Sequence, residues 1–167
     1  MRANAEAMRC VMYANAAAID FADSSSDESE REHWDAVTGL LTPISKGWGS
    51  DLGVEMTSLG IQIHGGMGYV EETGVAQHWR DARIAPIYEG TNGIQAADLV
   101  FRKLPLGGGA VIEKFFSEMT DLASQLADND DLGSLGSALA AGVKEMREAA
   151  LWLGGRLATQ PNDAAAG

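Results

Sequence analysis

The stretch QIHGGMGYVEETGVAQHWRDARIAPIYEGTNGIQ, residues 62–95, holds the residue types in this chain that could do chemistry. Glu89 follows the apolar run Ile-Ala-Pro-Ile-Tyr and precedes Gly90. An apolar neighbourhood disfavours an ionised carboxylate, which is how a glutamate becomes an effective general base near neutral pH. The competing reading is a solvated loop charge, which is what most glutamates in turns are. Gly90 gives the loop freedom to present the carboxylate to a ligand. Upstream, Gly65, Gly66 and Gly68 cluster within four positions. They read either as a helix stop, where left-handed backbone needs no Cβ, or as bare N–H groups that a phosphate can approach. A dinucleotide loop of the G-x-G-x-x-G kind is excluded, because that motif follows a strand and here a helix precedes the glycines.

The other candidates carry less. His33, His64 and His78 do not recur at zinc spacing, and the single cysteine adds no ligand, so no metal site is expected. Cys10 lies in a helical pattern and reads as a packed thiol; alone, it forms no internal disulfide and fits a reducing, cytoplasmic setting. Arg80 and Asp81 read as an ion pair or cap holding the loop before Glu89.

The elements that position these residues are helices. Met8, Met12 and Ile19 recur at helical spacing over residues 1–22, a pattern already running at residue 1 with no cap before it. The acidic DSSSDESERE that follows reads as an exposed loop. From Trp34 to Ile63 the apolar steps are three or four throughout; Pro43 either starts a new helix behind a Thr42 cap or kinks one long helix. A short helix is predicted from Thr73 to about Arg83, then a turn or extended link through Pro86, then a helix from near Thr91 through Phe101. LPLGGGA at 104–110 is a break. Two helices follow, one carrying Phe115, Phe116 and Met119 on a face, the other a heptad-like seam from Leu132 to Leu157. Gly133, Gly136, Gly142 and Gly154 in that last helix invite close packing, and the tail TQPNDAAAG is expected to fray. The class is all-α, a helical bundle over 1–103 plus a helical hairpin and tail over 104–167.

With 12 basic against 24 acidic residues the net charge is −12, and the pI is about 4.5. Such a chain repels phosphate backbones, which argues against nucleic-acid binding. No apolar run approaches the length of a membrane span, and the N-terminus lacks the apolar core of a signal peptide.

QIHGGMGYVEE, RDARIAPIYEGTNGIQ and their spacing resemble the C-terminal helical domain of the acyl-CoA dehydrogenase family over residues 1 to about 103. The hairpin after it is similar to the extra segment of a larger subgroup that includes enzymes acting on methylthio-propanoyl-CoA. The resemblance implies a flavin enzyme that desaturates an acyl-CoA, with Glu89 removing the α-proton while a hydride passes from the β-carbon to FAD. It implies that the Glu89 N–H polarises the thioester carbonyl, that Tyr88 and Gly90 line the substrate side, and that Thr91 contacts the flavin. Gln62, Gly65 and Gly66 would hold the far end of a flavin bound mainly by a neighbouring subunit, hence a homodimer or homotetramer. Electrons would leave to an electron-transfer flavoprotein or similar acceptor. The family often has a glutamine two residues after that threonine; here the position is Gly93. The family's N-terminal helical and middle β-domains have no counterpart, so the chain reads as a C-terminal fragment with little activity alone. The alternative is a catalytically inactive helical assembly module. Relatives that bind DNA in the alkylation response are disfavoured by the charge.

Overall fold

A computed structural model of the chain describes residues 1–160. Among these there is no strand: α1 (Arg2–Ser24), α2 (Glu28–Ile63), α3 (Gly66–Tyr69), α4 (Val75–Arg83), α5 (Asn92–Asp98), α6 (Ala110–Ala127) and α7 (Gly133–Thr159) are joined by turns. The class is all-α, as the helical spacing predicts. The chain divides into two compact units, Met1–Leu99 and the part from Val100 on. The expected fraying of the tail from Pro161 lies outside the described residues.

In the first unit α1 and α2 form an antiparallel hairpin. Asn4 Nδ2 donates to Met56 Sδ at 3.5 Å, Asn15 Nδ2 to Thr42 Oγ1 at 3.4 Å, and the rings of Phe21 and Trp34 stand 4.9 Å apart. The buried seam is made of small side chains, Ala18 and Ala22 on α1, around Leu40 of α2.

The acidic segment is not a ten-residue loop. Only Ser25–Asp27 connects the helices, because Asp27 caps α2: its carboxylate accepts from the N–H groups of Ser29 (2.8 Å) and Glu30 (3.1 Å). Glu28 and Glu30 then sit in the first turn, where negative charge suits the helix dipole. Asp27→Ala is expected to lower stability by about 1 kcal/mol, read as a shift of the urea midpoint with the slope unchanged.

Of the two readings of Pro43, the structure takes the continuous helix: α2 runs through it. A proline inside a helix lacks the N–H that would bond four residues back, here at Gly39, and the Thr42 hydroxyl bonds back to the Thr38 carbonyl at 2.8 Å instead of capping a new start. Cys10 corrects its expectation as well: the thiol is exposed, since α1 buries its alanine seam and turns residue 10 outward. The helix expected from Thr73 begins at Val75, behind a 3-10 turn over Glu71–Thr73 and a left-handed Gly74. The helix after Thr91 keeps α geometry only to Asp98 and widens into a π turn over Leu99–Lys103.

In the second unit α6 and α7 form a hairpin. Its turn is set by Asn129, whose side-chain oxygen accepts from the N–H groups of Asp131 (2.9 Å) and Leu132 (3.1 Å). Gly136 meets the close-packing expectation, because a Cβ there would stand 2.5 Å from the Ala127 nitrogen. Gly142 and Gly154 do not, having open space beside them. Arg147 joins the helices, 2.9 Å from Glu113 and over the Phe116 ring.

Candidate functional site

Glu89 sits at the tip of a loop that reverses the chain between α4 and α5. Proline at 86 keeps helix from continuing, and Ile84–Tyr88 folds as overlapping turns: the N–H groups of Ile87 and Tyr88 both donate to the Ile84 carbonyl, at 2.9 and 3.2 Å. The Asn92 N–H closes the loop on the Pro86 carbonyl at 3.1 Å. Between these bonds two consecutive residues take left-handed backbone, Glu89 with φ 52° and Gly90 with φ 82°. Glu89 is the one non-glycine residue with positive φ among those described. That conformation costs an L-residue on the order of 1–2 kcal/mol, so the surroundings must hold it.

They do so from α2. Lys46 donates to the Gly90 carbonyl at 2.6 Å and to the Asn92 side-chain oxygen at 2.8 Å. The Asn92 amide in turn donates to the Gly47 carbonyl (3.0 Å) and to Asp51 (2.8 Å). Thr91 caps α5, its hydroxyl oxygen accepting from the Ile94 N–H at 3.2 Å, which leaves the hydroxyl proton for an outside acceptor. Nothing in the sequence pattern flagged Lys46 or Asn92, because their meeting spans more than forty residues. The asparagine after Thr91, at the start of a helix, was the available signal.

Glu89 opens on a groove of about 380 Å³ whose walls include Met8 and Met12 of α1, Lys46 and Gly49 of α2, and Tyr88. A second groove of about 420 Å³ shares Met8, Met12 and Gly49 and continues along α2 to Leu52 and Met56. Gly49 permits this, since a Cβ there would meet Met8 Cε at 2.6 Å. The apolar enclosure expected around Glu89 is not supplied by its sequence neighbours: Glu89 is exposed, and Ile87 and Tyr88 are half exposed. Adjacent side chains in a turn fan outward rather than pack on one another. The apolar side chains of the groove it opens on include Met8 and Met12 of α1.

The glycine cluster lies elsewhere. Gln62 and Gly47 are both on α2, fifteen residues apart, which at 1.5 Å per residue separates the cluster from the Glu89 loop's anchor by about 22 Å. The structure therefore brings together Tyr88, Glu89, Gly90 and Thr91, and keeps Gln62, Gly65 and Gly66 apart from them. The three glycines have different tasks. Gly65 ends α2 with φ 59°, ψ −145°, a backbone only glycine adopts readily. Gly68 is buried, and a Cβ there would stand 2.4 Å from the Ile61 carbonyl. Gly66 is exposed beside open space. The anion-cradle reading narrows accordingly, because the N–H groups of Gly65 and Gly68 already donate to Gln62 and Gly65 carbonyls. Arg80 does not hold the Glu89 loop either: it pairs with Glu71 at 3.2 Å and bonds Gln77, bracing the turn after the glycines.

A hairpin of long helices, a glycine-ended helix and a glutamate corner pinned to that same helix make up a domain whose sequence is that of the acyl-CoA dehydrogenase family. The chain belongs to this family of oxidoreductases, whose profile, described as acyl-CoA dehydrogenase, C-terminal domain, matches residues 1–104. Among relatives, the chain is 41% identical over 171 residues to the 3-methylmercaptopropionyl-CoA dehydrogenase of Ruegeria pomeroyi, covering all of this chain and 28% of that protein. It is 34% identical over 116 residues to a butyryl-CoA dehydrogenase of Syntrophomonas wolfei, covering 70% of this chain and 19% of that protein. To a broad-specificity linear acyl-CoA dehydrogenase of Mycobacterium tuberculosis it is 30% identical over 127 residues, covering 76% of this chain and 21% of that protein. The chain thus spans between 19% and 28% of the length of these relatives. No described helix is long and apolar enough to cross a membrane.

Proposed function

We propose that this chain supplies the C-terminal helical part of a flavin-dependent acyl-CoA dehydrogenase, with Glu89 as the base that takes the α-proton of an acyl-CoA thioester. The observation that carries this reading is the Glu89 corner: an exposed carboxylate, on backbone held in left-handed geometry, opening on a methionine-walled groove. A base must reach its proton without first rearranging, and a pinned corner provides that. The Glu89 N–H would stabilise the negative charge that develops on the thioester oxygen as the proton leaves. Tyr88 and Gly90, on either side, would bound the thioester.

The residues present fit part of a flavin site. Thr91 retains a donor proton, and Gly66 offers backbone that a planar or phosphate-bearing group can approach without meeting a side chain. A bound flavin would supply the acceptor for the electron pair leaving the β-carbon, and an electron-transfer flavoprotein or similar partner would then take the electrons away. The distance of about 22 Å along α2 favours Gln62, Gly65 and Gly66 serving a different flavin from the one beside Glu89. That is the arrangement of a homodimer or homotetramer.

The direct test is single-turnover bleaching of the flavin band by an acyl-CoA in the assembled enzyme. A bleaching rate indifferent to what stands at residue 89 would sink the base assignment. Light scattering on the flavin-loaded protein is expected to give a dimer or tetramer. A flavin-loaded monomer would remove the cross-subunit role from Gln62 and Gly66.

A further inference from the structure

We infer that Lys46 is a positioning residue for the reaction, clamping the Glu89–Gly90 corner from the middle of α2; the inference rests on Glu89 being the base. Its ammonium donates to the Gly90 carbonyl at 2.6 Å and to Asn92 Oδ1 at 2.8 Å. An ammonium only donates and the Gly47 carbonyl only accepts, so these two partners fix which way the Asn92 amide faces. Asp51, accepting from the same amide at 2.8 Å, reinforces that orientation. Lys46 and Asn92 thus form one unit that ties the loop to α2 through the Gly90 backbone carbonyl and the Asn92 side chain.

The direction of the Gly90 carbonyl decides what Glu89 can do. With that carbonyl held towards α2, the preceding residue stays at φ 52°, and both its carboxylate and its N–H keep their directions. If the carbonyl is released, Glu89 relaxes to negative φ, which any L-residue prefers, and both groups swing away together. The Gln95 amide also reaches the Glu89 carbonyl at 3.4 Å, a long bond that cannot hold the corner alone. Lys46 faces the same groove as Glu89, yet its role needs no contact with substrate.

Lys46→Met keeps the length of the side chain and removes its donors. In the assembled holoenzyme it is expected to lower kcat about 10- to 100-fold, the scale on which small misplacements of a catalytic group are felt. KM is expected to move less than about threefold, because the lost interaction acts on the chemical step. Amide exchange in the peptide spanning residues 88–95 is expected to quicken without faster exchange in α1, and Lys46→Arg, which retains N–H donors, to recover part of the rate. Unchanged exchange in 88–95 would overturn the clamp. So would a rate that returns to the wild-type value once normalised to folded, flavin-loaded protein. Glu89→Gln, measured in parallel, separates the two claims: if its turnover survives, the base assignment falls, while the exchange result for Lys46→Met still decides the clamp.

Discussion

Glu89→Gln in the assembled enzyme is expected to lower kcat by about 10²- to 10⁴-fold, the usual worth of a positioned general base. The amide keeps the size and nearly the shape of the carboxylate but cannot accept the α-proton. Stability is expected to stay within about 0.5 kcal/mol, because the side chain is exposed and substitutions at exposed sites away from special contacts do little. The backbone corner is unaffected, since the bonds that hold it run to the Gly90 and Glu89 carbonyls. KM should change little, and acyl-CoA should still bind, because the N–H of residue 89 remains in place. The measurement is steady-state turnover beside flavin bleaching in a single turnover. A variant within tenfold of wild type in both would mean that another group takes the proton.

Local signals carried most of the helical layout. Periodicity sufficed to place α2, α6 and α7, although part of each apolar face stays exposed, Ile63, Leu122, Leu135 and Met146 among it, and Pro43 was ambiguous because local sequence cannot say whether neighbouring helices will hold a proline in line. Asp27 was legible and overlooked: an aspartate three residues before Glu30 is a helix start, and the density of charge around it read as loop. Cys10 fell on the wrong side because a helix of many alanines buries its smallest residues, and periodicity in the larger ones mis-set the face.

The candidate site divides in the same way. Its residue types could be read along the chain, since Glu89, Gly90 and Thr91 are adjacent. The means of holding them could not, because Lys46 meets Gly90 across a separation that no local pattern encodes. Apolar flanks in the sequence also misled: Ile87 and Tyr88 stay half exposed, and the groove beside Glu89 takes Met8 and Met12 from α1 as well as Tyr88. A turn distributes its side chains, so neighbours in sequence are poor guides to neighbours in space.

The glycine cluster gives the sharpest separation of structural from functional need. Gly68→Ala is expected to lower stability by about 1–3 kcal/mol, because the new Cβ would lie 2.4 Å from the Ile61 carbonyl and 2.8 Å from His64 Cβ. Backbone on one side of that contact cannot give way as a flexible side chain would, so the end of α2 must shift. Gly66→Ala should do the opposite. Its Cβ meets nothing within 4 Å and its φ is not in the left-handed region, so the substitution is neutral or adds up to about 1 kcal/mol by restricting the unfolded chain. If Gly66 lies against a neighbouring subunit's flavin, that same methyl intrudes on it, and the assembled enzyme will lose flavin on dialysis while its unfolding midpoint holds or rises. Thermal melts and flavin absorbance on the two variants read both quantities. Wild-type flavin retention in Gly66→Ala would leave the cluster with its structural task alone, Gly65 turning the chain and Gly68 letting α3 fold back on α2.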